Sequence, residues 1–276
     1  MPASGAADAP APGAAGQGVR VDGICRRFDT DGDDLLVLDT TSFEVQAGEF
    51  VTILGPSGCG KSTLFNMVAG LLAPSSGDIY VHGERVTGRT GSVSYMMQRD
   101  LLLPWRSVLD NVILGMETAG MDRKKARAEA SLLLDRFGLG RFAKAYPAQL
   151  SGGMRQRAAF IRTMLFPRGV LLLDEPLGAL DAQTRLLMQE WLLEIWGEER
   201  KTVLFITHDV DEAVFLSDRV HVMSARPGRI IDEVKITLPR PRSTDLRTTP
   251  EFTELRNRLL TEIHRESLKA FEQGAV

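Results

Sequence analysis

Phe50-Val-Thr-Ile-Leu-Gly-Pro-Ser-Gly-Cys-Gly-Lys-Ser-Thr63 is the stretch that decides the fold. Five apolar or β-branched residues predict a strand, the chain breaks at Gly55 into a glycine-rich loop, and a helix is expected from Lys61 to Leu71. Glycines at 55, 58 and 60 let the backbone turn its N–H groups inward around an anion. Lys61 is then placed to reach β- and γ-phosphates, and the Ser62 hydroxyl to ligate Mg²⁺. The helix aims its positive end at the same charge. A bare Gly-x-x-x-x-Gly-Lys-Ser match arises by chance, but the strand before it and the helix after it are the context that makes it a phosphate loop.

Working outward, 276 residues carry a net charge of −3, with 43% hydrophobic content sufficient for a large α/β core. Mild acidity argues against nucleic acid as the main partner, which calls for a basic face. Cys25 and Cys59 fall in a predicted strand and in the loop, a placement that suggests neither a disulfide framework nor a metal site and fits reduced thiols in a cytosolic protein. No apolar run approaches the roughly 20 residues that span a bilayer, so a membrane role is expected to be peripheral. Residues 1–18, mostly Ala, Gly and Pro, read as a disordered tail with no signal-peptide pattern.

Short β-like segments at 19–28 and 35–45, separated by Asp/Gly turns, predict an antiparallel flap ahead of the loop strand. Phe28, near the end of the first segment, is read from its position alone as core, with stacking on a base as the alternative. Downstream, 78–86 and 93–97 predict two strands, the second ending at Gln98. Between Gln98 and Leu165 the pattern holds no convincing strand. A charged helix over 122–137, with Ala126, Ala130, Leu133 and Leu134 at helical spacing, makes this an inserted helical subdomain of about 98–165.

That stretch closes on Leu150-Ser-Gly-Gly-Met-Arg-Gln156, where Ser151 caps a helix whose first N–H groups Gly152 and Gly153 leave uncovered. The pattern reads either as an ordinary capped start or as a second anion site. Gly169-Val-Leu-Leu-Leu-Asp-Glu-Pro176 is a central-strand pattern ending in two carboxylates, with Asp174 placed for a Mg²⁺ shell and Glu175 to polarise a water. A helix is expected over 182–196 with Leu186, Leu187, Met188, Trp191, Leu192 and Ile195 on its apolar face, and a strand at 202–207 delivers His208. A hairpin around Pro227-Gly228, an extended linker at 238–242 and an amphipathic helix over 251–273, with Phe252, Leu255, Leu259, Ile263 and Phe271 on one side, complete the reading.

In order and spacing these pieces resemble the ATP-binding subunit of an ABC transporter, over nearly all of residues 19–242. The resemblance implies an α/β P-loop NTPase fold with a mixed central sheet, an antiparallel β subdomain and the helical insertion. It assigns ATP to Gly55, Pro56, Ser57, Gly58, Cys59, Gly60, Lys61, Ser62 and Thr63, makes Phe28 the aromatic that stacks on adenine, and makes Gln98 a Q-loop glutamine sharing Mg²⁺ with Ser62 and Asp174. Glu175, His208, Gln98 and Lys61 become the catalytic group. Asp181 marks the D-loop. Ser151, Gly152 and Gly153 become a signature that meets the γ-phosphate held by a second copy, so that ATP closes a head-to-tail homodimer.

Residues Met97–Asn111 and the ending from His208 to Arg242 resemble the nitrate/sulfonate/taurine importer branch. That implies two membrane-spanning permease subunits, an indirect substrate-binding protein, no nucleic-acid partner, and a place on the cytoplasmic face of the inner membrane. Leu102, Leu103 and Trp105 are read either as a permease-docking surface or as core. The alternatives are an ABC ATPase acting on DNA or ribosomes, or a transporter ATPase for another substrate class. The first is disfavoured because Lys61 and Ser151 lie only about 90 residues apart without heptads, and the chain carries a single ATPase domain. A GTPase switch is disfavoured by the lack of an Asn-Lys-x-Asp motif.

Overall fold

The computed structural model describes residues 17–30 and 33–273, so the expected tail lies almost wholly outside the described residues. In chain order, β1 (Gln17–Thr30) and β2 (Asp33–Gln46) precede β3 (Phe50–Leu54), and the loop leads into α1 (Lys61–Val68). β4 (Ser76–Val81), β5 (Glu84–Arg85) and β6 (Ser94–Met96) follow. The strand-free stretch holds α2 (Val108–Val112), α3 (Leu114–Thr118), α4 (Arg123–Arg136) and α5 (Gly152–Met164). Next come β7 (Val170–Asp174), α6 (Ala182–Glu199), β8 (Thr202–Ile206), α7 (Val210–Leu216), the hairpin of β9 (Arg219–Met223) and β10 (Ile230–Lys235), and finally α8 (Pro250–Glu272).

Two sheets form, an antiparallel one ordered β2-β1-β4-β5 and a mixed one ordered β10-β9-β3-β8-β7-β6, in which only β10 runs antiparallel. The central strands are buried on both faces, as continuous apolar runs in parallel sheets require. Successive residues enter different cores. Leu171, Leu173, Val203 and Phe205 join the core shared with α5 and α6, whereas Val170, Leu172, Leu204 and Ile206 join the one filled by α1 and the antiparallel sheet. The carboxyl ends of β3, β8 and β7 are thereby fixed side by side, where a ligand of an open α/β sheet binds.

Several local expectations need correction. α1 stops at Val68, because Leu71 and Leu72 both turn their N–H groups back to the Asn66 carbonyl. The single strand expected over 78–86 is two, reversed through His82 and Gly83 at positive φ. The apolar face of α6 is narrower than expected: Met188, Leu192 and Ile195 are buried, but Leu186 and Leu187 are exposed. Leu102 is core, while Trp105 is 72% exposed.

The stretch 238–242 is no free linker. Arg242 is buried and its guanidinium donates to the Phe215 and Ser217 carbonyls at 2.9 and 2.8 Å, capping the negative end of α7, while Arg240 pairs with Asp218. On α8, Phe252 and Leu259 are buried and Leu255 and Ile263 pack against the core, but Phe271 is 76% exposed. Glu266 and Ala270 take the buried positions instead.

Candidate active site

The loop after β3 owes its shape to Gly60. Its φ of 106° lies in the left-handed region, and a Cβ there would approach Leu38 Cδ2 to 2.9 Å. The turn brings Lys61 back over its own loop, so that Nζ donates to the Gly55 and Pro56 carbonyls at 2.8 and 2.9 Å. Lys61 is buried with no carboxylate in ion-pair range among the described residues, so its charge is left for an incoming anion. Burial pushes the neighbouring Cys59 thiol up, which keeps it protonated and unreactive.

At the end of β7, Asp174 is buried, and the Ser62 hydroxyl and the Tyr95 phenol act on its carboxyl. Burial pushes its carboxyl above the ordinary range, Ser62 opposes this, and the charge of Glu175 adds to it. Tyr95, raised by burial and by Asp174, stays a neutral donor.

Glu175 is the hub of the arrangement. Its φ of 47° is a left-handed conformation that costs a non-glycine residue roughly 1 kcal/mol or more. The surroundings hold it there: its N–H donates to the Ile206 carbonyl at 2.9 Å, and its carbonyl accepts from Gln156 Nε2 at 3.1 Å. Its two carboxylate oxygens face different partners. Gln98 Nε2 donates to Oε2 at 3.1 Å, and His208 Nδ1 lies 3.5 Å from Oε1.

His208 is carried by the loop between β8 and α7, and that loop is braced from within. The Thr207 hydroxyl donates to Glu212 at 2.6 Å, Gln189 donates to the other Glu212 oxygen at 3.0 Å, and Arg247 donates to Gln189. Burial pushes the Glu212 carboxyl up, and the Thr207 hydroxyl and Gln189 amide satisfy both its oxygens.

A cavity of about 450 Å³ runs from Phe28, Leu35 and Val37 at one end to Ser57, Lys61, Ser62, Gln98 and Glu175 at the other, while Asp174 and His208 lie outside its lining. An aromatic and aliphatic end and a cationic, N–H-rich end suit a base and a phosphate chain respectively. Phe28 both lines the cavity and packs on the core, with the Arg26 guanidinium 4.3 Å over its ring.

Four expected site residues stand apart. Ser151 caps α5, accepting from the Met154 N–H at 3.3 Å, and Gly152 lines a separate depression with Gln98, Arg155 and Gln156. Gly153 rests near Leu180. Asp181 is the cap of α6, accepting from Thr184 N and Oγ1 at 3.0 and 2.7 Å, and the Thr184 N–H holds its carboxyl below the usual range. None of the four lines the cavity that holds Lys61. Sequence reading also passed over Tyr95, Gln156, Glu212 and Arg226. Only Gln156, inside the quoted signature, had a signal attached to it.

Residues 38–178 match the ABC transporter family. The chain belongs to that family. The ABC cassette has a fold shared with a bacterial ABC transporter cassette solved as a dimer, at TM-score 0.74 and 28% identity over 80% of this chain and 100% of that one. A post-hydrolysis dimer bound to ADP and Pi matches at TM-score 0.73 and 28% identity over the same shares. Among curated relatives, a putative ATP-binding protein of Brucella abortus is 47% identical over 87% of this chain and 92% of its own length. The aliphatic sulfonates import ATP-binding protein SsuB of Bacillus cereus is 40% identical over 91% and 97%. The taurine import ATP-binding protein TauB of Rhizobium johnstonii is 44% identical over 84% and 91%. The cassette is an ATP-binding ATPase with the mixed sheet, antiparallel sheet and inserted helices expected of it.

Proposed function

We propose that this ABC ATPase energises import of a small organic or inorganic anion, of the sulfonate, taurine or nitrate kind, through a membrane permease. The observation that carries the mechanism is the division of the site. Lys61, Ser62, Gln98 and Glu175 line one cavity, with His208 reaching the far oxygen of Glu175 from outside it, whereas Ser151, Gly152 and Gly153 present uncovered α5 N–H groups elsewhere. A phosphate shared between two copies completes both halves, so ATP binds the closed homodimer better than the open one and shifts the equilibrium towards it. Asp181 lies beside that signature in the proposed interface.

Within the cavity, Phe28 stacks on adenine and the loop from Gly55 to Thr63 holds the phosphates. Glu175 accepts the proton of the attacking water, and His208 and Gln98 orient its carboxylate. Ser62, Asp174 and Gln98 offer an oxygen-rich set suited to Mg²⁺, which when bound supplies charge neutralisation to the phosphates.

No helix among the described residues is long and apolar enough to cross a membrane, which accords with a peripheral subunit on the cytoplasmic face of the inner membrane, held by two permease subunits. Trp105 and Leu101, exposed just past Gln98, suit that docking, and a substrate-binding protein acts through the permease. We further take residues 19–242 as the ATPase unit, with about 98–165 as its helical part and 243–276 as a C-terminal amphipathic helix. The names of SsuB and TauB support the substrate class.

Reconstitution with a candidate permease of this importer class tests the reading. Sulfonate-loaded or taurine-loaded binding protein should stimulate ATP hydrolysis severalfold, and indifference to all such anions would sink the substrate class. Glu175→Gln should keep ATP binding and accumulate a dimer on size exclusion; hydrolysis at the parental rate would remove Glu175 as base.

A further inference from the structure

The turn between β9 and β10 brings one more cation to the nucleotide cavity. Arg226 lines it together with Lys61 and Phe28, and its Nε and Nη2 both donate to the Gly58 carbonyl, at 3.2 and 2.9 Å. Arg229 in the same turn is paired with Asp39, and Arg219 nearby with Glu49. Among the described residues Arg226 pairs with no carboxylate, and a neutral carbonyl of the phosphate loop is its acceptor.

The turn is held from three sides. The Gly228 N–H donates to the Val37 carbonyl at 2.9 Å, and the Gly228 carbonyl accepts from the Asp39 N–H at 3.1 Å and the Thr41 hydroxyl at 3.2 Å, which ties it to β2. A Cβ at Gly228 would sit 2.2 Å from the Cys59 carbonyl, so the turn presses on the phosphate loop itself. From behind, the Ala225 N–H donates to Glu266 of α8 at 2.9 Å. The base of the Arg226 side chain is therefore fixed between the strand that carries the apolar end of the cavity and the loop that carries its cationic end.

We propose that Arg226 is a nucleotide-contacting residue that exchanges the Gly58 carbonyl for the α- and β-phosphates. This rests on the nucleotide reading of the cavity given above. A guanidinium fork matches two phosphate oxygens, and a charge-assisted bond to phosphate is roughly twice as strong as one between neutral groups. A contact short of the γ-phosphate is the same for ATP and ADP. It therefore contributes uniform binding, felt in Kd and KM rather than in kcat.

Binding of ATP, ADP and adenosine to the full chain, by competition against a fluorescent ATP analogue, tests this in Arg226→Ala and Arg226→Lys. Arg226→Ala should weaken ATP and ADP by about tenfold each, leave adenosine unchanged and keep kcat within about twofold, with partial recovery in Arg226→Lys. Unchanged ATP and ADP affinities in Arg226→Ala would overturn the assignment, as would an equal loss for adenosine, which marks a wall residue and not a phosphate contact. Failure of the parent chain to bind ATP would instead remove the nucleotide reading on which the assignment stands.

Discussion

The side-chain amide of Gln156 ties α5 to the backbone of Glu175, donating to its carbonyl at 3.1 Å while accepting from the Ala179 N–H at 2.9 Å. One buried amide thus clamps both ends of the turn that follows β7 and keeps Glu175 in its left-handed conformation. Gln156→Ala should lower kcat by tenfold or more while ATP affinity stays within about threefold, because the loop that binds phosphate is untouched. Steady-state hydrolysis beside equilibrium binding decides it, and an unchanged kcat would show that Glu175 holds its position without the clamp.

Lys61 is bonded to the Gly55 and Pro56 carbonyls. Lys61→Ala removes both the cation and the internal bonds that shape the loop, and ATP binding should fall by about a hundredfold or more. Calorimetric titration with ATP checks this. Retained tight binding would move the phosphate seat elsewhere.

The brace behind His208 makes a separate prediction. Gln189→Leu strands one oxygen of the buried Glu212 and frees Arg247, at a cost of about 1–3 kcal/mol in folding. If the brace also positions His208, kcat should drop severalfold at unchanged KM for ATP. A lowered Tm with normal kcat would leave the brace a purely structural feature.

His221 supplies a pH dependence of stability. It is buried on β9 against Phe43, and burial lowers its pKa from 6.5 to about 4, with Glu233 opposing and Arg219 reinforcing the shift. Below pH 6.5 the unfolded chain takes up a proton that the folded chain refuses until about pH 4. Stability should therefore fall as pH drops through that window, by about 2 kcal/mol from pH 7 to pH 5. Denaturant melts of His221→Phe should lack this component, and an identical acid slope in parent and variant would assign it to other groups.

The loop from Gly55 to Thr63 was legible because all its chemistry is contiguous, and a strand, a glycine-rich turn and a helix start leave a dense local pattern. The strand ends at Asp174 and His208 stood out for a related reason, since an apolar run that stops on a polar residue marks the ligand-facing edge of a parallel sheet. Tyr95 and Glu212 gave no such signal. Their roles depend on which strand neighbours β7 and on which face of α7 turns inward, and both are decided by packing. The same cause explains the errors at 238–242 and at Phe271. Pro and Arg in a short run read as solvated chain, yet the exposed carbonyls ending α7 give Arg242 a buried seat, and on α8 a bond to Ala225 draws Glu266 inward while Phe271 stays out.

The bond between Glu266 and Ala225 bears on the order in which the molecule is made. During synthesis the phosphate loop and β1–β2 leave the ribosome first, and domains begin to fold as they emerge. The turn carrying Arg226 gains its support from behind only once Glu266 of α8, about 200 residues beyond the loop, has docked. A nascent chain can thus hold a complete glycine-rich loop long before it holds a complete nucleotide cavity.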